Sequence, residues 1–243
     1  DWVDLSSFWS WPINQILDDV KKIPDHMWSK PFNGGDKEKG KGYNNIQSNI
    51  DLPGTEEGTE LIKARGWKSV MFLNETGNSN DQILKFDALY KNEWEYRERL
   101  KYVYDVRKWT NMTEFSPTLK TFFEEEIFPY IGVAYIFVTA LEPGGIITEH
   151  NDIPSGSAPI LHDEKLHAYD MCNVFNLCLN DVKSCHAVFN GKVMPSYDGC
   201  MMWTNTGKQH WVVNMNKEPQ YKIIFQGFFK KRFREKVVKE LYK

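Results

Sequence analysis

The chain has 243 residues, with 30 Lys and Arg against 33 Asp and Glu, 41% hydrophobic and 26% charged. That length supports one sizeable buried core, and the composition excludes disordered, collagenous and coiled-coil classes. A net charge of −3 supplies no basic field for nucleic acid or an anionic membrane, and the longest apolar run, Tyr130 to Leu141, is too short to cross a bilayer.

In chain order, Pro12 to Val20 places Ile13, Ile16, Leu17 and Val20 at helical spacing, with Pro12 suited to a first turn. The stretch 31–60, rich in Gly, Lys, Asn, Asp and Glu, predicts a mobile loop. Residues 67–73, WKSVMFL, end at a turn-like AsnGluThrGlyAsn and predict a strand. Helical spacing returns at Ile83, Leu84, Phe86, Leu89 and Tyr90, while the aromatic and charged segment up to 109 carries no period that assigns it.

Ser116 before Pro117 predicts a helix cap and first turn, with Leu119, Phe122, Phe123 and Ile127 on one face and an end before Pro129. The period then changes. Runs at 132–141, 173–179, 186–193, 200–204, 210–214 and 221–229 are β-branched, aromatic and separated by turn residues, which predicts an antiparallel sandwich or barrel. The basic segment from Lys230 to Lys243 predicts an amphipathic helix with Phe233, Val237 and Leu241 on its packed side. The expected organisation is one domain: a helical, loop-rich part at 1–130, a jelly-roll core at 131–229 and a C-terminal helix at 230–243. Four cysteines, Cys172, Cys178, Cys185 and Cys200, form no CxxC pair and read as reduced core residues of a cytoplasmic protein.

Chemistry concentrates after Pro143-Gly144-Gly145. On a strand, residues two apart share a face, so His150 and Asp152 can offer an imidazole nitrogen and a carboxylate oxygen to one metal ion. His210, opening the strand HisTrpValValAsn, can supply the third ligand and leave open positions for substrate, as in non-haem Fe(II) oxygenases. About 0.8 His-x-acid pairs are expected by chance in such a composition, and a second pair, His162 and Glu164, does occur. That pair follows Pro154, Gly156 and Pro159 in a polar loop with no strand to hold register, so context selects His150 and Asp152. In TyrLysIleIlePheGlnGlyPhePhe from 221, alternation puts Lys222, Ile224 and Gln226 on one face. Alternation alone leaves two readings of Lys222 open: an anion-binding lysine inside a barrel, or a water-facing lysine on an edge strand.

These residues carry a resemblance. PGGxIxxH with Asp152, then AsnLeuCysLeuAsn, AsnGlyLys at 190–192, Trp203, HisTrpValValAsn and the TyrLysIleIle strand resemble the aspartyl/asparaginyl β-hydroxylase-like family of Fe(II)- and 2-oxoglutarate-dependent oxygenases, over residues 117–229. The resemblance implies a mainly β double-stranded β-helix, a cupin-like jelly roll with flanking helices, with iron at one mouth. It implies a metal triad of His150, Asp152 and His210, with Lys222 and Thr139 on the far carboxylate of 2-oxoglutarate. Animal members have a glycine where Asp152 stands, so the chain is similar to the bacterial branch with a full triad, which includes free-amino-acid hydroxylases. The family's co-substrate histidine falls at Val174, and Asn176, two residues on and on the same face, is the candidate substitute. The segment 153–172 is long by comparison, and two readings of it stay open: an active-site lid or a simple loop insertion.

The expected activity is therefore a dioxygenase using Fe(II), 2-oxoglutarate and O₂, with ascorbate as activator, that hydroxylates an amino-acid unit. The preferred substrate is an Asp/Asn-type side chain in a protein or peptide. Free amino acids are the alternative within the family; outside it stand a cupin-type zinc hydrolase and a non-catalytic ligand-binding jelly roll.

Overall fold

The structure is a computed structural model that describes residues 2–28, 65–79, 102–150, 173–206, 208–231 and 233, with the backbone alone at 65, 148, 150 and 173. The predicted loop at 31–60, the helical spacing at 83–90, Asp152, the segment 153–172 and the C-terminal helix beyond Phe233 lie outside these residues.

The elements are β1 (Trp2–Asp4), α1 (Ile13–Lys21), β2 (Arg65–Asn74), β3 (Lys108–Trp109), α2 (Pro117–Phe122), β4 (Ile131–His150), β5 (Asn173–Cys178), β6 (Cys185–Phe189), β7 (Lys192–Val193), β8 (Met201–Thr204), β9 (His210–Asn214) and β10 (Gln220–Phe229). A helical stretch at 102–106 occupies part of the segment that the sequence left unassigned. The predicted runs in the β region form strands within a residue or two, apart from 132–141, whose strand β4 runs on to His150, and 186–193, which the Asn190-Gly191 turn divides into β6 and β7. Both turn residues have positive φ, as a tight hairpin requires.

All pairings are antiparallel, in the order β1-β8-β5-β10-β4-β9-β6-β7, with β2 against β4 and β3. One long strand, β4, joins two sheets. Its first half pairs β10 from Ile131 to Leu141, and its second half pairs β9 from Ile146 to His150. The sheet β1-β8-β5-β10-β4 thus faces the sheet β4-β9-β6-β7, with inward residues of both meeting in small clusters. One cluster joins Cys178, Cys200 and Met202 to Ala187 and Phe189; another joins Leu141 to Cys185 and Val182. This is a jelly roll, a mainly antiparallel β half-barrel of cupin-like, double-stranded β-helix architecture.

The sequence predicts that the strand stops before Pro143, whereas the observed ladder continues. Backbone at Gly144 takes φ 69°, and a Cβ on Gly145 would lie 2.7 Å from the Glu142 carbonyl oxygen, so glycine lets β4 turn from one sheet to the other.

The main core covers the outer face of the larger sheet, where Ile223, Phe225, Val138, Phe175 and Leu177 pack against Ile16, Val20, Leu119, Phe123 and Ile127. Phe225 stacks on Phe175 at 4.7 Å and meets Phe123 edge-on at 5.2 Å, contacts worth about 0.5–1.5 kcal/mol each beyond area burial. Helix α2 starts at Pro117 as predicted, but Ser116 does not cap it; its Oγ donates to Asp19 Oδ2 at 3.3 Å and ties α2 to α1. A π-helical turn, Phe123–Ile127, extends α2 and keeps both Phe123 and Ile127 buried. Phe233 is buried against Phe8, Trp9 and Phe229.

Candidate metal and co-substrate site

The two histidines that sequence spacing singled out lie opposite one another. His150 pairs with His210 across β4 and β9, at the end of both strands. A register shift between Ile147 and His150 makes this pairing. Counted from Ile147, which pairs with Val212, unbroken alternation would set Glu149 opposite His210; one extra residue on β4 puts His150 there instead. Bulges of this kind at barrel rims re-aim functional positions.

His210 is 7% exposed and faces inward. Its Nδ1 lies 2.8 Å from the carbonyl oxygen of Lys208; a carbonyl only accepts, so Nδ1 carries the proton and Nε2 is the acceptor nitrogen. The ring stacks on Phe189, centroids 4.9 Å apart and planes within 8°, which fixes its plane. Together these contacts fix both the tautomer and the orientation of the imidazole. Among the described residues no three His, Cys, Asp or Glu gather as a metal site, Asp152 lying outside them.

Lys222 occupies the inner face of β10, directly opposite Thr139 on β4 and Cys178 on β5. Ser69 of β2 pairs with Thr139 from the other side, which makes one polar row: Ser69, Thr139, Lys222, Cys178. Of the two readings of Lys222, the barrel-interior position is therefore the observed one, since β10 lies between β4 and β5 and is not an edge. Lys222 is half-buried, and among the described residues no carboxylate pairs with it. Asn176 lies two residues along the same face, opposite Ile224; its amide donates to Thr204 Oγ1 at 2.9 Å. Val174 shares that face, opposite Gln226.

The Lys222 ammonium acts on three nearby thiols, drawing Cys178, Cys185 and Cys200 toward the thiolate form. The outcomes differ. A hydrogen bond shared with Cys200, and then burial, hold the Cys178 thiol well above the ordinary range. The same bond, with a backbone N–H from Tyr197 and the Lys222 charge, outweighs burial and pulls Cys200 down. Burial raises Cys185, whose thiol donates to Gln220 Oε1 at 3.0 Å. All three are free thiols, as the sequence predicts for them.

Sequence reasoning missed Ser69, Cys178 and Phe189 as neighbours of the candidate site. Alternation along β2 groups Ser69 with Trp67 and Met71, but nothing in one strand says that Thr139 stands opposite. An open depression of about 420 Å³ lined by His26, Met27, Gly77, Asn78, Ser79 and Asn111 includes none of the candidate site residues. No described helix is long and apolar enough to cross a membrane.

No protein-family model and no curated protein matches the chain. Solved structures resemble it distantly. A prolyl hydroxylase from Trichoplax adhaerens, in complex with a hypoxia inducible factor oxygen degradation domain peptide fragment, is 14% identical, with 93% of this chain and 83% of that one covered and a TM-score of 0.41. A 2OG-Fe(II) oxygenase family oxidoreductase from Burkholderia pseudomallei is 10% identical over 75% of this chain and 74% of that one, with a TM-score of 0.40. A predicted oxalate decarboxylase from Thermotoga maritima is 16% identical over 40% of this chain and 67% of that one, with a TM-score of 0.28. The strand order and facing sheets make this chain a cupin-like double-stranded β-helix, and the chemistry of its site rests on its own residues.

Proposed function

We propose that the protein is an Fe(II)- and 2-oxoglutarate-dependent oxygenase that hydroxylates an amino-acid unit, an Asp/Asn-type side chain in a protein or peptide. The observation that carries this reading is the pairing of His150 with His210 at one end of a barrel whose inner face also holds a lysine with no described carboxylate partner. Two imidazoles and one carboxylate are the donor set that suits Fe(II) with open positions, so His150, Asp152 and His210 would hold the metal. The donor chemistry fits: Lys208 already holds the His210 ring in the tautomer a metal needs.

Lys222 and Thr139 would bind the far carboxylate of 2-oxoglutarate, with Asn176 two residues further along the face. A lysine ammonium in a half-buried row lacks full hydration, so a carboxylate there gains both charge pairing and hydrogen bonds. When bound, iron, 2-oxoglutarate and O₂ together supply the oxidising power for C–H hydroxylation, with ascorbate as activator. The chain's residues orient and enclose: Phe189 and Lys208 fix His210, and the surrounding Phe137, Ile224 and Met202 keep the interior apolar.

The test is iron analysis of protein purified without chelators, followed by succinate release under Fe(II), ascorbate and oxygen, with peptides and free amino acids followed for a mass gain of one oxygen. Iron-dependent succinate release with hydroxylated peptide is the expected result. Stoichiometric zinc without 2-oxoglutarate turnover would replace it with the hydrolase reading, and turnover of a free amino acid alone would move the substrate.

A further inference from the structure

The barrel interior contains a thiol pair that the oxygenase reading does not use. Strand β5 pairs with β8 in register up to Leu177 and Met201, and the next step brings Cys178 against Cys200. There the Cys178 N–H donates to the Cys200 carbonyl at 2.9 Å, and the Gly199 N–H donates to the Cys178 carbonyl at 2.9 Å. Gly199 has φ 78°, and the Cys200 N–H closes a turn onto the Tyr197 carbonyl at 3.0 Å. This is the G1 form of β-bulge, with glycine in the left-handed region as its first residue, Cys200 as its second and Cys178 as the opposed residue. Opposed residues of an antiparallel pair have Cα atoms about 4.5–5.5 Å apart, inside the range of about 4.4–6.8 Å that a disulfide spans. Both side chains belong to one buried cluster with Ala187, Phe189, Met194 and Met202.

We infer that Cys178 and Cys200 form a reversible dithiol site that a small hydroperoxide oxidises to a cross-strand disulfide. The roles divide by environment. Cys200 accepts a hydrogen bond from the Tyr197 backbone N–H at 3.5 Å and lies in the field of Lys222, so it is the thiolate and the attacking sulfur. Its sulfur bonds to the terminal peroxide oxygen, the O–O bond breaks, and the departing alkoxide takes a proton to leave as an alcohol, or as water from hydrogen peroxide. The Cys178 sulfur then attacks the Cys200 sulfenic sulfur, the S–S bond forms, the S–O bond breaks, and hydroxide leaves as water with the Cys178 proton. Two thiols lose two electrons and the peroxide gains them. With each cysteine only 2% exposed, bulky disulfides are excluded, so the proposed oxidant is a small hydroperoxide. Lys222 also favours the Cys200 thiolate, so oxidation removes a charge partner of Lys222.

The inference is independent of the oxygenase reading, since its readout is a mass and uses no bound iron. The folded chain is treated with graded hydrogen peroxide, alkylated after denaturation, and peptide-mapped. The expected result is loss of two alkylatable thiols of the four in the chain, and a linked peptide pair containing Cys178 and Cys200 that dithiothreitol releases. Cys185→Ala should keep the link and Cys200→Ser should lose it; if Cys200→Ser fails to fold, the wild-type map still decides. The inference is overturned if both cysteines stay alkylatable at peroxide doses that oxidise them in the urea-unfolded chain. Oxidation of Cys200 to a sulfinic acid without a link, or a link through Cys172 or Cys185, overturns it as well.

Discussion

The two halves of β4 differ sharply. From Ile131 to Leu141 every residue is buried, clamped between β10 and β2; from Ile146 onward the described side chains are half-buried or exposed, and the strand ends at His150 opposite His210. The first half is a wall, stabilised by burial on both faces. The second is a rim that, among the described residues, is held by its ladder with β9, a pairing of Ile146 with Arg65 of β2 and the packing of Ile147 beside Leu141, Val182 and Cys185. One strand thus supplies both the rigidity of the barrel and the rim that carries the proposed metal ligands, as sites built on regular elements do. The glycine turn at 144–145 separates the two roles.

Four changes break or sharpen this contrast. The largest effect is expected at the rim: His210→Ala removes a proposed metal ligand outright, so iron retention should fall by more than the roughly 10–100-fold that loss of a supporting hydrogen bond costs, with far-UV circular dichroism unchanged. Retained iron in that variant would put the metal elsewhere.

In the wall, Phe225→Ala removes a fully buried ring from a stack with Phe175 and should cost about 3–5 kcal/mol. At about 2–4 °C per kcal/mol for a chain of this size, thermal melting should drop by roughly 10 °C. The folded fraction should keep its iron affinity, which separates wall from rim.

At the junction, Gly145→Ala forces a Cβ to 2.7 Å from the Glu142 carbonyl oxygen, a backbone atom with little room to yield. A cost of about 1–3 kcal/mol is expected in chemical denaturation. Because the turn carries β4 into the rim, iron affinity should weaken too; melting that drops with iron affinity intact would uncouple the halves.

The smallest effect lies at the edge of the wall, on β1. Burial pushes the pKa of Asp4 up, but hydrogen bonds from the Ser6 hydroxyl, the Tyr197 hydroxyl and the Ser6 N–H outweigh it and hold the carboxyl below its ordinary 3.8. A depressed folded value contributes stability above pH about 4 that is lost as pH falls through that value. Urea midpoints of the parent and Tyr197→Phe should therefore differ at pH 7 and converge as pH falls through the folded value. A gap that persists in acid would assign the Tyr197 contribution to packing.

Much of this arrangement is legible along the chain, because strand propensity, turn residues and period-two alternation are local. AsnGly at 190–191 marks its hairpin, HisTrpValValAsn coincides with β9, and alternation in β10 puts Lys222 on the face it occupies. Other features depend on which strands meet, and pairing is not encoded in any single segment. The continuation of β4 through ProGlyGly needed β2 and β9 alongside to hold its hydrogen bonds. Ser116 reads as a cap in isolation, yet its hydroxyl goes to Asp19, nearly a hundred residues away in sequence.

The sequence by itself determined the residue types of the site and the period of the strands that carry them, since both follow from side-chain chemistry and pleat geometry over a few residues. Only the tertiary structure decided that His150 rather than Glu149 stands opposite His210, because a single-residue bulge reverses the parity of everything after it. It alone decided that Thr139, Cys178 and Ser69 share a row with Lys222, because neighbours in a sheet are set by topology and register across strands far apart in the chain.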